Sequence, residues 1–467
     1  MKILLIEPAK APRTIGGEDA FLYEPLALEY LAAGVSADHD VRILDLRIER
    51  KLPEVLENFA PDIVGITAYT VHVNTVRRLF AEVKTRTPEI LTVVGGHHAT
   101  VMPEDFLTPH IDLIVRGEGV RAFQQIVRHF EKGQGFEGIP GAGAVRDGQL
   151  VWGDASARGS GNNGSDLDAL PFPDRRFTAQ YRQHYYSEWM KPLASIRTSK
   201  GCPFRCTFCA LWKLTGGRYL TRSPEKVVEE LAEITEPYVF FADDESLVDA
   251  PRMGQLARSI REAKLGKHFL LYGRSDTIAR NPDLLALWRE AGLERVFVGL
   301  EFFRDEDLEE INKGSTLRDN QRAVQILHDL GIEIYASLIV RPEYTRADFA
   351  GLRQYCRDLR LNFATFAVLT PLPGTDFYAE VEDQLITHDY DYFDFIHTLL
   401  PTALPLKTFY QEYSQLHLNA LGLRQRLSLL RKIPARDLPG LLATSTRIYG
   451  QIRRAYLDYE EDVSLAG

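Results

Sequence analysis

Gly201-Cys202-Pro203-Phe204-Arg205-Cys206-Thr207-Phe208-Cys209 sets three cysteines close together, directly after an apolar run from Ala194 to Ser199. The whole chain has only 4 cysteines in 467 residues, so a disulfide framework is excluded and a metal or redox site in a reducing compartment is indicated. Three soft thiolates on one loop suit three irons of a cubane and leave the fourth iron open to a small molecule. A structural zinc site asks for four Cys or His ligands, and no partner pair stands at that spacing. The position of the sulfurs also constrains the fold: a loop at the C-terminal end of a strand is where β/α barrels carry their chemistry.

After this loop, short apolar runs alternate with helical stretches. Six strands are expected, at Ala194 to Ser199, Tyr238 to Ala242, Phe269 to Gly273, Arg295 to Leu300, Glu333 to Val340 and Phe363 to Leu369. Ser223-Pro224 and Asn281-Pro282 each put a capping side chain before a proline at a helix start. Six units fall short of a closed eightfold barrel, so residues 194–379 read as a partial barrel with a side open to a bulky substrate. Polar residues collect where these strands end: Asp243, Asp244 and Glu245, then Arg274 and Asp276, Glu301, Arg341, and Thr370 to Thr375. Each alone reads equally well as a loop residue, but their common level points to one pocket. No single side chain is singled out as an acid or base. Cys356, inside a predicted helix, reads as a core thiol.

Residues 1–132 have five expected strands, Lys2 to Ile6, Val41 to Leu46, Asp62 to Ala68, Leu91 to Gly95 and Leu113 to Arg116, with helices between them. That pattern is α/β, a doubly wound, flavodoxin-like domain. Thr67, Tyr69, Gly95, Gly96 and the turn Gly117-Glu118-Gly119 fall at successive strand ends, where such a sheet admits a ligand and glycine lets backbone approach it. Ordinary turns explain the glycines as well. His97 and His98 read first as helix-start or hydrogen-bonding residues.

Residues 133–193 read as a linker, with a hairpin at Asp147-Gly148 and a tract from Gly159 to Ser165 expected to be mobile. Residues 380–467 read as helical. Between Arg424 and Arg454, arginines and one lysine outnumber the single acid Asp437, with leucines interleaved. This is either a solvated face or a contact for an anionic membrane surface. A net charge of −10 argues against a nucleic-acid partner. The N-terminal MKILLIEP is too short for a secretory segment, so a cytoplasmic protein is expected, with peripheral contact at the inner membrane face as the membrane reading.

The C-x3-C-x2-C spacing, with Phe208 before its last cysteine, resembles the radical S-adenosylmethionine superfamily. Glu24-Pro-Leu-Ala-Leu-Glu-Tyr-Leu-Ala32, Gly65-Ile-Thr-Ala-Tyr-Thr70, Gly95-Gly-His-His-Ala-Thr100 and Gly117-Glu-Gly119, in that order, resemble the cobalamin-binding domain that precedes the radical barrel in one large subgroup. The resemblance implies a [4Fe-4S] cluster on Cys202, Cys206 and Cys209, with S-adenosylmethionine at the open iron and Phe208 near its adenine. Asp244, Arg274 and Glu301 are the further candidates for that cofactor. Glu24, Thr67, Tyr69, Gly95, Gly96, His97, Gly117, Glu118 and Gly119 are those for cobalamin. A D-x-H-x-x-G motif is absent, so cobalt would have water or nothing on its lower face.

The implied activity is methylation of an unactivated carbon by methylcobalamin after hydrogen abstraction, with electrons from a flavodoxin- or ferredoxin-type donor. Phe241-Ala-Asp-Asp-Glu-Ser-Leu247, the compact length and the basic C-terminal region most resemble members that methylate ring A of hopanoid lipids at C-3. Methylases and a cyclase of bacteriochlorophyll-type tetrapyrroles are the alternative within the family. A cobalamin and iron-sulfur sensor or electron carrier is the alternative of another class.

Overall fold

The computed structural model describes residues 1–459 apart from 20, 154–165, 362, 421–426, 428–434 and 436–437. The Gly159 to Ser165 tract and most of the basic cluster after Arg424 therefore lie outside the described residues.

The first sheet is built from β1 (Lys2–Glu7), β2 (Asp40–Asp45), β3 (Ile63–Thr67), β4 (Leu91–Gly95) and β5 (Leu113–Val115), all parallel, in the order β2-β1-β3-β4-β5. Alternation along β1 explains its unbroken apolar run. Leu4 and Ile6 enter one core with Phe80 and Leu56, while Ile3 and Leu5 enter the opposite core with Phe123 and Ile126. Strand order reverses between β1 and β3, the switch point at which such sheets bind ligands. The segment expected to be a linker with a hairpin also contributes to this sheet. β6 (Ala142–Arg146) and β7 (Gln149–Trp152) extend it antiparallel past β5. Their turn is the expected Asp147-Gly148, both residues at positive φ as a two-residue hairpin requires.

The second sheet is a parallel, six-stranded partial barrel. It runs β8 (Leu193–Ile196), β9 (Tyr238–Phe241), β10 (His268–Arg274), β11 (Leu293–Glu301), β12 (Glu333–Val340) and β13 (Phe363–Val368) in chain order. Among the described residues no ladder joins β8 to β13, so the barrel is open at the side, as expected. Its outer face, including Phe241, Phe269, Val298 and Leu338, is buried under helices with Trp288 and Leu327. Thr316 and Thr345 start two of these helices with reciprocal capping boxes. Ser223 caps as its sequence suggests, but Asn281 does not: its amide turns back to the Thr277 carbonyl at 2.8 Å. Cys356 is fully buried in the outer core. The helix Leu406–Asn419 covers the β13 edge, where Tyr413 donates to the Phe366 carbonyl at 2.7 Å. No described helix is long and apolar enough to cross a membrane.

Candidate functional site

The cysteine loop leaves β8 through Gly201, whose φ is +91°. A Cβ there would stand 2.1 Å from the Arg218 carbonyl, so only glycine fits. Asp244, just past β9, accepts the Gly201 N–H at 2.6 Å, and neighbouring Asp243 accepts those of Thr198 and Ser199 at 2.7 and 2.8 Å. Farther along, the Thr207 N–H reaches the Ile311 carbonyl at 3.0 Å, and the Phe377 N–H reaches the Thr207 carbonyl at 3.0 Å. The loop is thus pinned at both ends before any cofactor arrives. Burial pushes the Cys202 thiol up to about 11 and the Cys209 thiol up to about 12. These thiols stay protonated at neutral pH, and iron would bind by displacing their protons to solvent, leaving three thiolate donors on one loop. Among the described residues no three His, Cys, Asp or Glu side chains converge on one ion. A cubane makes no such demand, because each thiolate meets a different iron.

Arg274, expected at the carboxylate of S-adenosylmethionine, is committed elsewhere. Its Nε donates to Asp276 at 2.9 Å, Nη2 to the Lys313 carbonyl, and Nη1 lies 3.7 Å from Cys206 Sγ. The guanidinium also stacks on Phe204, 3.7 Å from the ring centroid. It braces the cysteine loop. Glu301 ends β11 at a bulge with φ +58° and accepts Lys313 Nζ at 2.5 Å, with both side chains buried. Burial lowers the pKa of Lys313, but Glu301 and Cys206 outweigh it and raise the group overall. Lys313 escaped the sequence reading. Its only signal is the turn Asn312-Lys313-Gly314, whose flanking residues both have positive φ. Phe208 packs against Phe302, Leu308, Ile311, Ile339 and Leu369, an apolar wall beside the cysteines.

A cleft of about 1450 Å³, counted to its open mouth, separates the two sheets. Thr67, Tyr69, Gly95, Gly96, His97, Gly117, Glu118 and Gly119 line it from the first domain, and Asp244, considered above for S-adenosylmethionine, lines it from the barrel. Arg197, Lys200 and Arg222 line it too and were not foreseen. Gly96 shows why glycine is needed: φ is +103°, and a Cβ would lie 2.7 Å from the Ala68 nitrogen. Tyr69 projects into the cleft, 48% exposed, with the His97 ring edge-on to it at 4.8 Å. Burial, with Arg197 and Lys200 nearby, pushes His97 down to about 4, so its ring is neutral at physiological pH. His98 is structural: buried, it contacts Thr70 at 3.1 Å and Asp105 at 2.8 Å.

A B12 binding domain model matches residues 12–127, and a Radical SAM superfamily model matches residues 196–356. Hopanoid C-3 methylase of Methylococcus capsulatus is 32% identical over 421 residues, spanning 88% of this chain and 78% of that protein. The chain belongs to the cobalamin-binding radical S-adenosylmethionine family. Anaerobic magnesium-protoporphyrin IX monomethyl ester cyclase of Rubrivivax gelatinosus is 30% identical, over 86% of this chain and 74% of its own. The fold matches that of TsrM from Kitasatospora setae, solved with cobalamin and a [4Fe-4S] cluster, at TM-score 0.66 and 21% identity, covering 82% of this chain and 78% of that one.

As a cobalamin-binding radical S-adenosylmethionine methyltransferase, the protein uses a [4Fe-4S] cluster, S-adenosylmethionine and cobalamin. The residues present fit this set: a pinned loop of three thiols, and a cleft between the domains whose glycines leave room for a large guest. Glu24, expected at cobalamin, sits elsewhere in this structure. Glu24 lies outside the cleft lining, buried, with its carboxylate taken by Arg182 and the Ser195 N–H. It joins the cobalamin-binding domain to the radical barrel instead.

Proposed function

We propose that this enzyme methylates an unactivated carbon of an apolar polycyclic lipid, with C-3 of hopanoid ring A as the best match. The observation that carries the reading is the single cleft that the cobalamin-binding strand ends and the barrel's Asp244, Arg197 and Lys200 share. These residues would hold a corrinoid between the two domains. When bound, the cofactors supply hydrogen abstraction and a methyl group.

The chain supplies placement. Gly95, Gly96 and Gly117 to Gly119 let backbone approach the corrinoid tail, with Thr67 and neutral His97 offering hydrogen bonds. Tyr69, exposed in the cleft, would lie against the guest. Cys202, Cys206 and Cys209 hold the cluster, Asp244 and Arg274 hold the loop that carries them, and Phe208 with the Glu301–Lys313 pair borders the S-adenosylmethionine side. The likeness to hopanoid C-3 methylase supports the substrate assignment.

The cyclase from Rubrivivax, almost as similar, supports a second reading, oxidative ring closure on a magnesium porphyrin ester. Anaerobically reconstituted protein, given S-adenosylmethionine, a low-potential reductant and either substrate, separates the two. We expect 5′-deoxyadenosine together with a methylated hopanoid. An oxidised porphyrin ring with no methylated lipid would transfer the assignment to the cyclase.

A further inference from the structure

The inner face of the barrel is layered in a way that the cofactor sites do not explain. Tyr272, Phe297, Tyr335 and Phe363 stand level on four adjacent strands, each in register with the next. Successive ring centroids are 4.9, 5.0 and 4.7 Å apart, a continuous run of edge-on and tilted contacts. Directly beneath, Arg295 is sealed in by Glu188 and Glu333 and lies 4.3 Å over the Trp189 ring. The aromatic row is therefore a floor with a closed plug under it.

The next inward row toward the cofactors is Arg274, Gly299, Ser337 and Thr365. Arg274 turns to the cysteine loop, Gly299 has no side chain, and the other two are small. Among the described residues no hydrogen bond engages the hydroxyl of Ser337 or of Thr365. Closed β/α barrels fill such rows with bulky branched side chains. Outward-facing Val296, Val298, Leu338 and Phe366 are buried, whereas inward-facing Phe297, Ser337, Phe363 and Thr365 stay partly exposed. Small residues over an aromatic floor leave a chamber. Its side wall is apolar through Ile339 and Leu369, and the charges at its rim, Glu301 and Lys313, pair with each other.

We propose that Tyr272, Phe297, Tyr335 and Phe363 form the seat for the reacting ring of an apolar polycyclic substrate, and that Ser337 and Thr365 set how deeply it enters. This rests on the reading of the protein as a lipid methylase and adds the residues that select the substrate and the carbon presented. An apolar ring loses no hydrogen bond on entering and gains the aromatic faces. A substrate rimmed with carboxylates would lose its hydration, and among the described residues the chamber's cations, Lys313 and Arg274, are already engaged.

The test uses the full chain loaded with cobalamin and cluster, and two probes: pyrene, followed by its fluorescence, and a hopene delivered in cyclodextrin. Thr365→Phe fills the chamber and is expected to weaken binding of both probes at least tenfold while corrinoid and cluster spectra stay unchanged. Phe363→Ala deepens the floor and is expected to keep binding but move or scatter the methylated position. Unchanged affinities in Thr365→Phe with intact spectra would overturn the chamber, and an unchanged product pattern in Phe363→Ala would overturn the depth role. If Thr365→Phe loses its cluster, Ser337→Leu on the neighbouring strand carries the same expectation. If pyrene binds the parent and is lost in the filled variant, yet no hopene is methylated, the chamber stands and the hopanoid assignment fails.

Discussion

Cys206 is the most enclosed of the three cluster cysteines, with Arg274 Nη1 3.7 Å from its sulfur. Cys206→Ala removes one thiolate from the trio but leaves the strand-end cleft intact, because that cleft is built mainly by the other domain. We expect complete loss of product and of a stable cluster, with corrinoid absorption retained on the purified protein. His397 gives a different residue-level prediction. It is fully buried between Asp394 and Asp458, each at 3.0 Å. Burial alone would lower its pKa, but the two carboxylates outweigh that and raise it to about 9. A raised histidine stabilises the fold fully below its unfolded pKa of about 6.5, and that contribution fades as pH climbs through 9. It is worth roughly 3 kcal/mol. Urea midpoints measured from pH 6 to 10 should fall across that window, and His397→Gln should flatten the slope.

At the level of strands and their end loops, Gly96 decides whether the cleft forms. Its backbone is left-handed, and a methyl group would strike the main chain of Ala68, which cannot move aside, as well as Thr67 Oγ1. Gly96→Ala should therefore displace the loop after β4 and cost most of the bound corrinoid, while iron and sulfide content of the distant cluster stay normal. Metal analysis beside the corrinoid spectrum checks both halves. Features of this kind were legible in the sequence because they are local: a continuous apolar run for β1, a Cys trio after a strand, glycines at strand ends, Asp-Gly for the hairpin. What was hidden depends on chain segments far apart. A glutamate before a helix looks the same whether it meets a ligand or an arginine, and Glu24 finds Arg182 158 positions away. Arg274 likewise looked free until Lys313, Asp276 and Cys206 closed around it. The hairpin was foreseen, but not its place on the sheet edge, because β6 pairs by backbone groups that no side-chain pattern specifies.

The two sheets act together only if the seam between them is stiff. Arg182 is its centre, donating from Nε to Glu236 at 2.6 Å and from Nη1 to Glu24, with Glu29 at 3.7 Å. Arg175 reinforces it through Glu230 at 2.7 Å and the Ser195 carbonyl at 2.6 Å. A second clasp lies at the other side, where Asn74 donates to Asp389 at 2.6 Å and Tyr390 to Asp105 at 2.6 Å. Removing one member of a buried ionic group costs roughly 3–5 kcal/mol, chiefly because the partners stay buried without compensation. Arg182→Ala takes the nearest cation from Glu24 and Glu236, leaving Glu24 the Ser195 N–H and Arg175 at 3.7 Å, beside a Glu29 that burial already pushes up to about 7. The second clasp keeps the domains attached, so we expect loosening rather than separation. Methylation would need the substrate carbon at the barrel to lie within reach of a methyl donor held in the cleft, whereas cleavage of S-adenosylmethionine would need only the barrel. Product should fall more than 5′-deoxyadenosine does, and the ratio of deoxyadenosine to methylated product should rise several-fold, with both cofactors still bound. A ratio equal to that of the parent enzyme would mean that the seam stabilises the fold without setting the distance between its two reacting centres.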